Sequence, residues 1–379
     1  MKILIIRTYP SQLNPDSYNV QEIGLALALV RKGHTCGIVM YLESGESYTE
    51  KRDDGITIYW IHGRKMLKNG FFPGIYKIME QYDIVQVHEY DQLQSWMIYT
   101  YHNKKHNVVM YHGPYYDDFN KRYNAKCKMF DRLFLPFSGS AKKYVSCITK
   151  SPLAADFLKN KGFENVIPIG VGLNPSSFGD DKSVSSSIAD NMKTDKVNII
   201  YVGKLEPRRN TIFLLNLIYS LSNNPDTYFT IVGTGEQEYL AKVMPKIQKL
   251  ENKGALQYVP KAGQKELGTV YRKADILLFP SNYEIYGMVL MEAMYFGTAC
   301  VSSLNGGSST IISNNEDGII IHGFDESEWV QKTAELVSDK TRLAKMKEKA
   351  ERKIKEHFLW DEIADRFIEV YRKCSKAER

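Results

Sequence analysis

Short apolar runs rich in isoleucine and valine alternate with longer amphipathic stretches from one end of this 379-residue chain to the other. That alternation is typical of parallel sheets whose strands are joined by crossover helices. In the first half, the runs predict strands at residues 3–6, 36–41, 56–61, 83–88, 107–112, 143–148 and 165–169. In the second half, they predict strands at residues 197–202, 228–233, 256–259, 275–279, 299–303 and 318–321. We therefore predict an α/β protein with two doubly wound, Rossmann-like domains.

The segment from Gly170 to Lys196 separates the two series of strands, because it is rich in glycine, serine and aspartate and has no apolar periodicity. The chain is also too long for one ordinary core, which favours two domains of about 150 to 200 residues. We predict domains at residues 1–171 and 172–355 and a C-terminal helix at residues 356–379. Ligands of such sheets bind beyond the carboxyl ends of the strands, so we expect a ligand in a central cleft that both domains face.

Apolar runs and cysteines predict where the protein resides. No apolar run approaches the roughly 18 residues of a membrane-spanning helix, and the opening MKILIIRTYP is interpreted as a first strand because its apolar run stops at Arg7. The five cysteines are scattered and form no CxxC pair or Cys/His cluster. We expect a reduced, cytoplasmic protein without zinc.

The net charge of +6 is unevenly distributed, because residues 100–150 hold ten lysines and arginines against three acidic residues. Within that segment, residues 115–137 mix tyrosine and phenylalanine with basic residues at roughly helical spacing. Two interpretations stay open: an amphipathic helix on an anionic membrane surface, or a core helix with a basic outer face. The first would place the protein peripherally at the inner face of the plasma membrane. A nucleic-acid partner is disfavoured because the basic excess is local.

The stretch EIYGMVLMEA, residues 284–293, combines two glutamates with a glycine. Gly287 opens a helix-like run after a predicted strand and loop, so the backbone N–H groups of Gly287, Met288 and Val289 form a natural phosphate site. Glu284 then lies in the loop and Glu292 on the second helical turn. Because the two carboxylates belong to different elements, the paired carboxylates of a glycosidase are not specifically supported.

Three other predicted strands end in loops with similar properties. VGKLEPRRN carries Lys204 and Arg209, which could neutralise a diphosphate, and VGTGE carries Gly233 and Gly235, which allow close backbone approach. A further glycine pair lies in LNGGSST. Each motif alone is more often a turn or a solvated loop, but four such strand ends in one domain favour a nucleotide ligand.

Together these motifs resemble the glycosyltransferase family 4 enzymes, which have the GT-B fold. The resemblance rests on the two glutamates and Gly287, preceded by PS at 280–281. Further matches, in chain order, are RKGH at 31–34, VIPIGVGLNPSSF at 166–178, VGKL at 202–205, VGTGE at 232–236, YRKADILLFPS at 271–281 and NGG at 305–307. The resemblance implies an acceptor-binding first domain, a donor-binding second domain, and a C-terminal helix that packs back on the first domain.

The resemblance also implies a role for each matching position. Glu292 would bind the ribose of a nucleotide sugar, Glu284 would contact the transferred sugar, and Lys204 and Arg209 would hold the diphosphate. His112, at the end of NVVMYHG, would lie beside the reacting sugar, with His88 as a competing candidate. The implied catalytic set is therefore His112, Lys204, Arg209 and Glu284. The remaining donor-binding positions are Gly203, Gly233, Gly235, Lys261, Tyr286, Gly287, Met288 and Val289.

Several positions depart from the family pattern. The arginine and lysine usual at 204 and 209 are exchanged, and the double glycine of the first loop corresponds to Asp16 and Ser17. Thr310 replaces a common glutamate, and Pro260 replaces a glycine. These departures leave base and sugar specificity open.

The resemblance implies a retaining, front-face transfer of a hexose-type sugar from a nucleotide sugar, a UDP-sugar above all, to a glycan or lipid-linked acceptor. No cofactor is expected, and no metal, because no DxD motif follows a strand. A bacterial role in surface polysaccharide, such as capsule, or in glycolipid synthesis is expected. Two alternatives stay open: a nucleotide-sugar epimerase of the same fold, which needs no acceptor, and a non-catalytic nucleotide-sugar binding protein.

Overall fold

The computed structural model describes residues 1–66, 69–178 and 186–376, and these residues form two compact units. Unit 1 comprises Met1–Asn174 together with the segment that begins at Leu359, and unit 2 comprises Pro175–Phe358. The middle of the predicted linker, at 179–185, lies outside the described residues. On either side of it, the 3₁₀ helix Pro175–Phe178 and a helix at Ser187–Asp190 already belong to unit 2.

Unit 1 is built on a mainly parallel sheet of eight strands, counted over the described residues, in the order β10-β9-β8-β7-β1-β2-β4-β3. Its strands are β1 (Lys2–Ile6), β2 (Thr35–Leu42), β3 (Tyr48–Lys51), β4 (Ile56–His62), β7 (Ile84–His88), β8 (Asn107–His112), β9 (Ser146–Thr149) and β10 (Val166–Pro168). A separate antiparallel pair is formed by β5 (Arg64–Met66) and β6 (Asn69–Phe71). Within the sheet, β3 pairs antiparallel with β4.

The helices of unit 1 connect these strands. They are α1 (Gln21–Arg31), α2 (Ile75–Met79), α3 (Leu93–Met97), α4 (Lys121–Leu133), α5 (Gly139–Tyr144), α6 (Pro152–Lys159) and, from the C-terminal segment, α15 (Trp360–Lys376). The predicted strand at 143–148 was misplaced: α5 occupies its start, and β9 begins at Ser146. Only the apolar part of that run, through Cys147 and Ile148, is buried in the sheet.

Helix α15 is an integral part of unit 1. A Cβ atom added to Gly24 on α1, or to Gly172, would lie within 2.5 Å of the indole of Trp360, so both glycines admit that ring. Further along the helix, the hydroxyl group of Tyr371 donates a 2.6 Å hydrogen bond to the buried Gln86 of β7. The helix is therefore fixed to unit 1 at both ends.

Unit 2 has a wholly parallel sheet in the order β13-β12-β11-β14-β15-β16. Its strands are β11 (Val197–Val202), β12 (Thr227–Val232), β13 (Leu256–Val259), β14 (Ile276–Phe279), β15 (Ala299–Ser303) and β16 (Gly318–Ile321). Its helices are α7 (Ser187–Asp190), α8 (Thr211–Leu221), α9 (Gln237–Asn252), α10 (Gln264–Lys273), α11 (Met288–Tyr295), α12 (Ser308–Ile311), α13 (Glu326–Ser338) and α14 (Lys340–His357). This order places β11 and β14 side by side at the centre, where the strand order reverses.

The central strands of both sheets are buried on both faces, as is usual for parallel sheets. Every residue of β7, β11, β12, β14 and β15 is buried. The polar loops that follow the strands therefore collect at the carboxyl edge of each sheet. Within the described residues, no helix combines the length and the apolar character needed to cross a bilayer.

Candidate functional site

The loops after β11 and β12 touch through their backbones because three positions are glycine. A Cβ atom on Gly233 would lie 1.9 Å from the carbonyl oxygen of Gly203, and one on Gly235 would lie 2.1 Å from that of Leu205. Gly203 and Gly233 also have φ of 152°, which favours glycine. These glycines therefore bring two loops together, which is a structural reason for the motif in addition to any approach of a ligand.

Helix α11 begins at a left-handed residue, as the sequence predicts. Gly287 is its N-cap, with φ of 77°, and Met288 and Val289 form the first half-buried turn. The first amide groups of a helix have no intrahelical acceptor and carry the positive end of the helix dipole. The start of α11 is therefore suited to an anion such as a phosphate group.

A second loop holds this turn in place. The amide of Gly306 donates a 3.0 Å hydrogen bond to the carbonyl oxygen of Glu284. A Cβ atom on Gly307 would lie 2.0 Å from the carbonyl oxygen of Tyr286, whose side chain is buried. The NGG motif and the EIYG loop thus form one packed unit at the ends of β14 and β15.

Glu292 lies on the second turn of α11 and is buried. Its Oε2 accepts a 3.0 Å hydrogen bond from the hydroxyl group of Tyr271 on α10. A buried carboxylate needs such partners because burial without them is costly. Tyr271 therefore fixes the position of the carboxylate that is predicted to bind ribose.

Glu284 is paired with Arg209. The guanidinium group of Arg209 donates to the Glu284 carboxylate and, at 3.1 Å, to the hydroxyl group of the buried Ser281. It also lies over the ring of Phe279, at 5.2 Å from the ring centroid. The sequence predicted Arg209 as a diphosphate ligand, but in this structure its charge is already neutralised by Glu284.

Lys204 and Lys261 follow β11 and β13 and are both exposed. Among the described residues, neither ammonium group has an ion-pair partner or a hydrogen-bond acceptor. The backbone carbonyl group of Lys204 is fixed by the hydroxyl group of Tyr201 at 2.7 Å. Lys204 thus presents an uncompensated positive charge at the same sheet edge as α11.

In unit 1, His112 ends β8 and its side chain is fully buried. Its Nδ1 lies 2.6 Å from Oε2 of Glu89, which also accepts a 3.2 Å hydrogen bond from the amide of Gly113. Burial acts to raise the pKa of Glu89, but the charge of His112 and the hydrogen bonds outweigh it and lower that pKa to about 2. The imidazole stacks on the ring of Phe157, at 5.3 Å between centroids.

His88, the competing histidine, has a closed set of partners. Its Nδ1 lies 3.2 Å from Glu22, and its Nε2 lies 3.1 Å from the side-chain amide nitrogen of Gln86. The side-chain oxygen of Gln86 in turn accepts a hydrogen bond from Tyr371. This chain of contacts links β7, α1 and α15. His88 therefore has the partners of a structural histidine, whereas Nε2 of His112 has no hydrogen-bond partner among the residues that the structure describes.

Asp16 and Ser17 lie in the loop between β1 and α1. The carboxylate of Asp16 pairs with Arg52 at 2.8 Å. Ser17 donates its backbone amide to the carbonyl oxygen of Asn14 at 3.0 Å, within a turn. The pairing with Arg52 neutralises a charge that would otherwise oppose an anion at this loop.

Helix α4 packs through one stripe and exposes the opposite face. Cys127 and Phe130 are buried. The exposed face carries both apolar and basic side chains: Met129 (60% exposed), Leu133 (53% exposed), Lys121, Arg122, Lys128 and Arg132. The packed stripe and the basic outer face are those of the core-helix interpretation, and membrane binding by this face stays a prediction.

The sequence contains three Asp-Asp pairs, at 53–54, 117–118 and 180–181. The two pairs that the structure describes have structural partners. Asp54 pairs with Arg52, and Asp117 caps the turn that begins at Asp118. The pair that begins at residue 180 lies outside the described residues. Across residues 1–66, 69–178 and 186–376, no group of three or more acidic, histidine or cysteine side chains could hold a metal ion.

Sequence analysis missed Glu89, Tyr271 and Ser281. Glu89 lies within HEYD, directly after β7, and a carboxylate at the end of a buried strand is a usable signal. Tyr271 lies inside α10, and nothing in its spacing indicates that its hydroxyl group reaches Glu292. Ser281 was quoted only as part of the PS motif, and its role as an acceptor for Arg209 depends on the fold.

Protein-family models match the chain in two consecutive parts. Residues 23–174 match the model described as Glycosyltransferase Family 4, and residues 186–353 match the model described as Glycosyl transferases group 1. Its two Rossmann-like units have the GT-B fold, and both family models describe glycosyltransferases. The chain belongs to the family that these two models describe, with a family 4 first half and a group 1 second half.

The curated relatives have low sequence identity to this chain. A D-inositol 3-phosphate glycosyltransferase of Rhodococcus erythropolis is 26% identical over 217 residues, which make up 56% of this chain and 48% of that protein. The chain thus spans about half the length of that relative. An uncharacterized glycosyltransferase of Methanocaldococcus jannaschii is 24% identical over 369 residues, 92% of each chain.

Solved structures with the same fold cover the whole chain. Sucrose-phosphate synthase from Thermosynechococcus elongatus has a TM-score of 0.71 at 16% identity, with 98% of each chain covered. Anabaena HepE, solved in complex with UDP and glucose, has a TM-score of 0.66 at 14% identity, with 98% of this chain and 100% of that chain covered. Likenesses at this level of identity show the fold.

Proposed function

We propose that this protein is a retaining glycosyltransferase that moves a hexose-type sugar from a nucleoside diphosphate sugar, a UDP-sugar above all, to a hydroxyl group of a glycan or lipid-linked acceptor. The observation that carries the proposal is the arrangement around Gly287. A loop glutamate, the amide groups at the start of α11 and a buried glutamate follow one another within residues 284–292. Their order matches the sugar, diphosphate and ribose of such a donor.

The chemistry needs stabilisation of negative charge on the leaving diphosphate. The bond between the anomeric carbon and the diphosphate breaks while the acceptor oxygen bonds to that carbon on the same face, and the departing phosphate takes the acceptor proton. Oriented amide groups and cations aimed at the leaving group are the expected main contribution to the rate. The start of α11 and the unpaired Lys204 are suited to this task. No cofactor or metal is part of the proposal.

The choice of UDP is supported by a structural neighbour, because Anabaena HepE was solved with UDP and glucose. A thermal-shift screen of the full chain with UDP, GDP and ADP tests this choice. We expect UDP to raise the melting temperature most, and a larger shift with GDP or ADP would contradict the choice of base. Transfer is then measured with the donor alone and with donor plus acceptor. Conversion of the donor without an acceptor would indicate an epimerase instead.

We also propose that the exposed face of α4 binds an anionic membrane surface and so reaches a lipid-linked acceptor, as in bacterial glycolipid or surface polysaccharide synthesis. The proposal is supported by Met129 and Leu133, which are exposed among basic residues. Asp131, the acidic residue of this helix, is already paired with Lys161. Exposed apolar and basic side chains together favour binding at an anionic interface.

Vesicle flotation tests this surface. A variant with Lys121, Arg122, Lys128 and Arg132 changed to glutamine should lose binding to vesicles that contain phosphatidylglycerol. The matched control changes four exposed cations of α14, Lys340, Lys345, Lys349 and Arg352, to glutamine. Equal binding of the two variants would contradict a membrane role for α4.

A further inference from the structure

Glu89 has an unusual backbone conformation. It follows β7 directly and has φ of 61°, in the left-handed region that residues with a Cβ atom rarely occupy. Its side chain is nevertheless buried. Strain of this kind persists only where the surrounding contacts enforce it, and it concentrates at functional sites. The conformation therefore raises the question of what the carboxylate holds.

The carboxylate holds His112. Oε2 of Glu89 lies 2.6 Å from Nδ1 of the imidazole, and the amide of Gly113 donates to the same oxygen at 3.2 Å. The backbone of His112 is fixed as well, because its carbonyl oxygen accepts from the amide of Lys150 at 2.9 Å. With Phe157 stacked on the ring, the imidazole has one orientation.

The other nitrogen of His112 has no partner. Nε2 is buried, and none of the described residues forms a hydrogen bond with it. Buried polar atoms are nearly always hydrogen-bonded, so an unpartnered nitrogen on a fixed ring is expected where a ligand supplies the missing group. His88 differs from His112 in this respect, because both nitrogens of His88 have partners in the protein.

We propose that Glu89 is a positioning residue that holds His112 as the Nδ1–H tautomer and leaves Nε2 free to accept a hydrogen bond from a hydroxyl group of a bound sugar substrate. The ionised carboxylate accepts the Nδ1–H group, so the lone pair of Nε2 points to the ligand. The opposite tautomer would present an N–H group there, which can only donate to the hydroxyl oxygen and cannot accept its proton. This inference rests on the proposed function for the identity of the ligand, but the tautomer itself does not depend on activity.

The tautomer is measured first, by ¹⁵N NMR of the full chain labelled at its eight histidines. The His112 signals are assigned by their loss in His112→Gln. We expect an Nδ1–H tautomer at neutral pH that becomes mixed in Glu89→Gln. An Nε2–H tautomer in the unmodified protein would overturn the proposal.

Kinetics separate positioning from structural support. Glu89→Gln should lower kcat by about 100-fold, the cost of a misplaced group, with little change in KM for the donor. The matched control is Glu22→Gln, which weakens the equivalent pair with His88 and should lower the melting temperature without a comparable loss of kcat. A Glu89→Gln variant with normal kcat, or equal losses of kcat in both variants, would overturn the proposal.

A second variant guards against misfolding. Glu89→Asp keeps the charge, tolerates left-handed φ better than glutamate, and shortens the reach to Nδ1. We expect a reduced kcat although the variant stays folded, with its melting transition above the assay temperature. If kcat falls only as far as the loss of folded protein explains, Glu89 has a structural role only. If no sugar is transferred by any variant, the proposed function fails while the NMR result still decides the tautomer.

Discussion

At the scale of single residues, the exchange of lysine and arginine at 204 and 209 acquires a physical meaning. Arginine has a planar fork that can contact two acceptors at once, and Arg209 contacts both Ser281 and Glu284. Lysine is a compact charge, and Lys204 is exposed without an ion pair among the described residues. We therefore propose different roles for the two cations: Arg209 positions Glu284, and Lys204 binds an anion.

We predict that Lys204→Gln weakens binding of UDP by about 1.5 to 3 kcal/mol, as expected for a lost hydrogen bond to a charged group. Binding of uridine should stay the same, because it has no phosphate. Calorimetric titration measures both. Lys242→Gln is the control, since Lys242 is exposed on α9 and pairs only with Glu238 among the described residues. Equal losses for UDP and uridine would mean that Lys204 does not act on the diphosphate.

For Arg209→Lys we predict a loss of turnover rather than a loss of UDP affinity. The lysine keeps a charge but cannot hold Ser281 and Glu284 together, so kcat should fall by about 10- to 100-fold while the affinity for UDP changes little. Steady-state kinetics and calorimetry give the two values. A loss of UDP affinity as large as that of Lys204→Gln would show that Arg209 binds the diphosphate directly.

Glu292→Ala should lower the affinity for UDP by about 1 to 3 kcal/mol, because hydrogen bonds to the ribose are lost. Affinity for inorganic pyrophosphate, which lacks the ribose, should stay unchanged. Glu348→Ala on α14 is a matched exposed control. Unchanged UDP affinity in Glu292→Ala would remove the ribose role.

At the scale of elements, the loops after the strands depend on glycine because backbones touch there. Gly235→Ala places a Cβ atom 2.1 Å from the carbonyl oxygen of Leu205, so the loops after β11 and β12 must separate. We predict a loss of unfolding free energy of about 1 to 3 kcal/mol together with weaker UDP binding. Gly263→Ala is the control, because nothing lies within 4 Å of its added Cβ atom. Equal urea denaturation midpoints for the two variants would contradict the account.

Most strands could be predicted because they are apolar runs buried on both faces. Strands β3, β5 and β6 were missed for the opposite reason: YTEK, RKM and NGF carry no such run, and β3 and β5 lie largely at the surface. The start of β9 was misplaced because the predicted strand at 143–148 included Lys143 and Tyr144, which form the end of α5.

The candidate site was predictable where the local sequence marks the start of a helix. Gly287 and Glu292 could be placed on a helix start and its second turn, as found. The pairing of Arg209 with Glu284 could not, because the two residues are 75 positions apart and meet only once β11 and β14 are neighbours. The contact between Glu89 and His112 likewise depends on the register of β7 with β8.

At the scale of the whole molecule, two glutamates link stability to pH: Glu89, which is buried, and Glu22, whose side chain is 11% exposed. Burial acts to raise the pKa of Glu22 and of Glu89, but the hydrogen bonds and charges of His88 and His112 lower each to about 2 from an ordinary 4.5. Carboxylates with a lowered pKa stabilise the fold fully above the ordinary value and lose that contribution as the pH falls through the native value. The stabilisation should therefore disappear between about pH 4.5 and 2.

Melting temperatures between pH 7 and 2.5 test this linkage. We predict a decline that begins near pH 4.5, and a shallower decline in Glu22→Gln, which has no carboxyl group to protonate at that position. The exposed variant Glu348→Gln should follow the unmodified protein. An identical slope for Glu22→Gln would mean that other groups govern the acid transition.

The central claim concerns the reaction, and its most direct test is ¹H NMR of the full chain with an α-linked UDP-hexose and a hydroxyl acceptor. The anomeric proton of the product reports its configuration through its coupling constant. The account predicts an α-glycoside and UDP that accumulate together and only when the acceptor is present. A β-glycoside, or an altered nucleotide sugar formed without the acceptor, would contradict it.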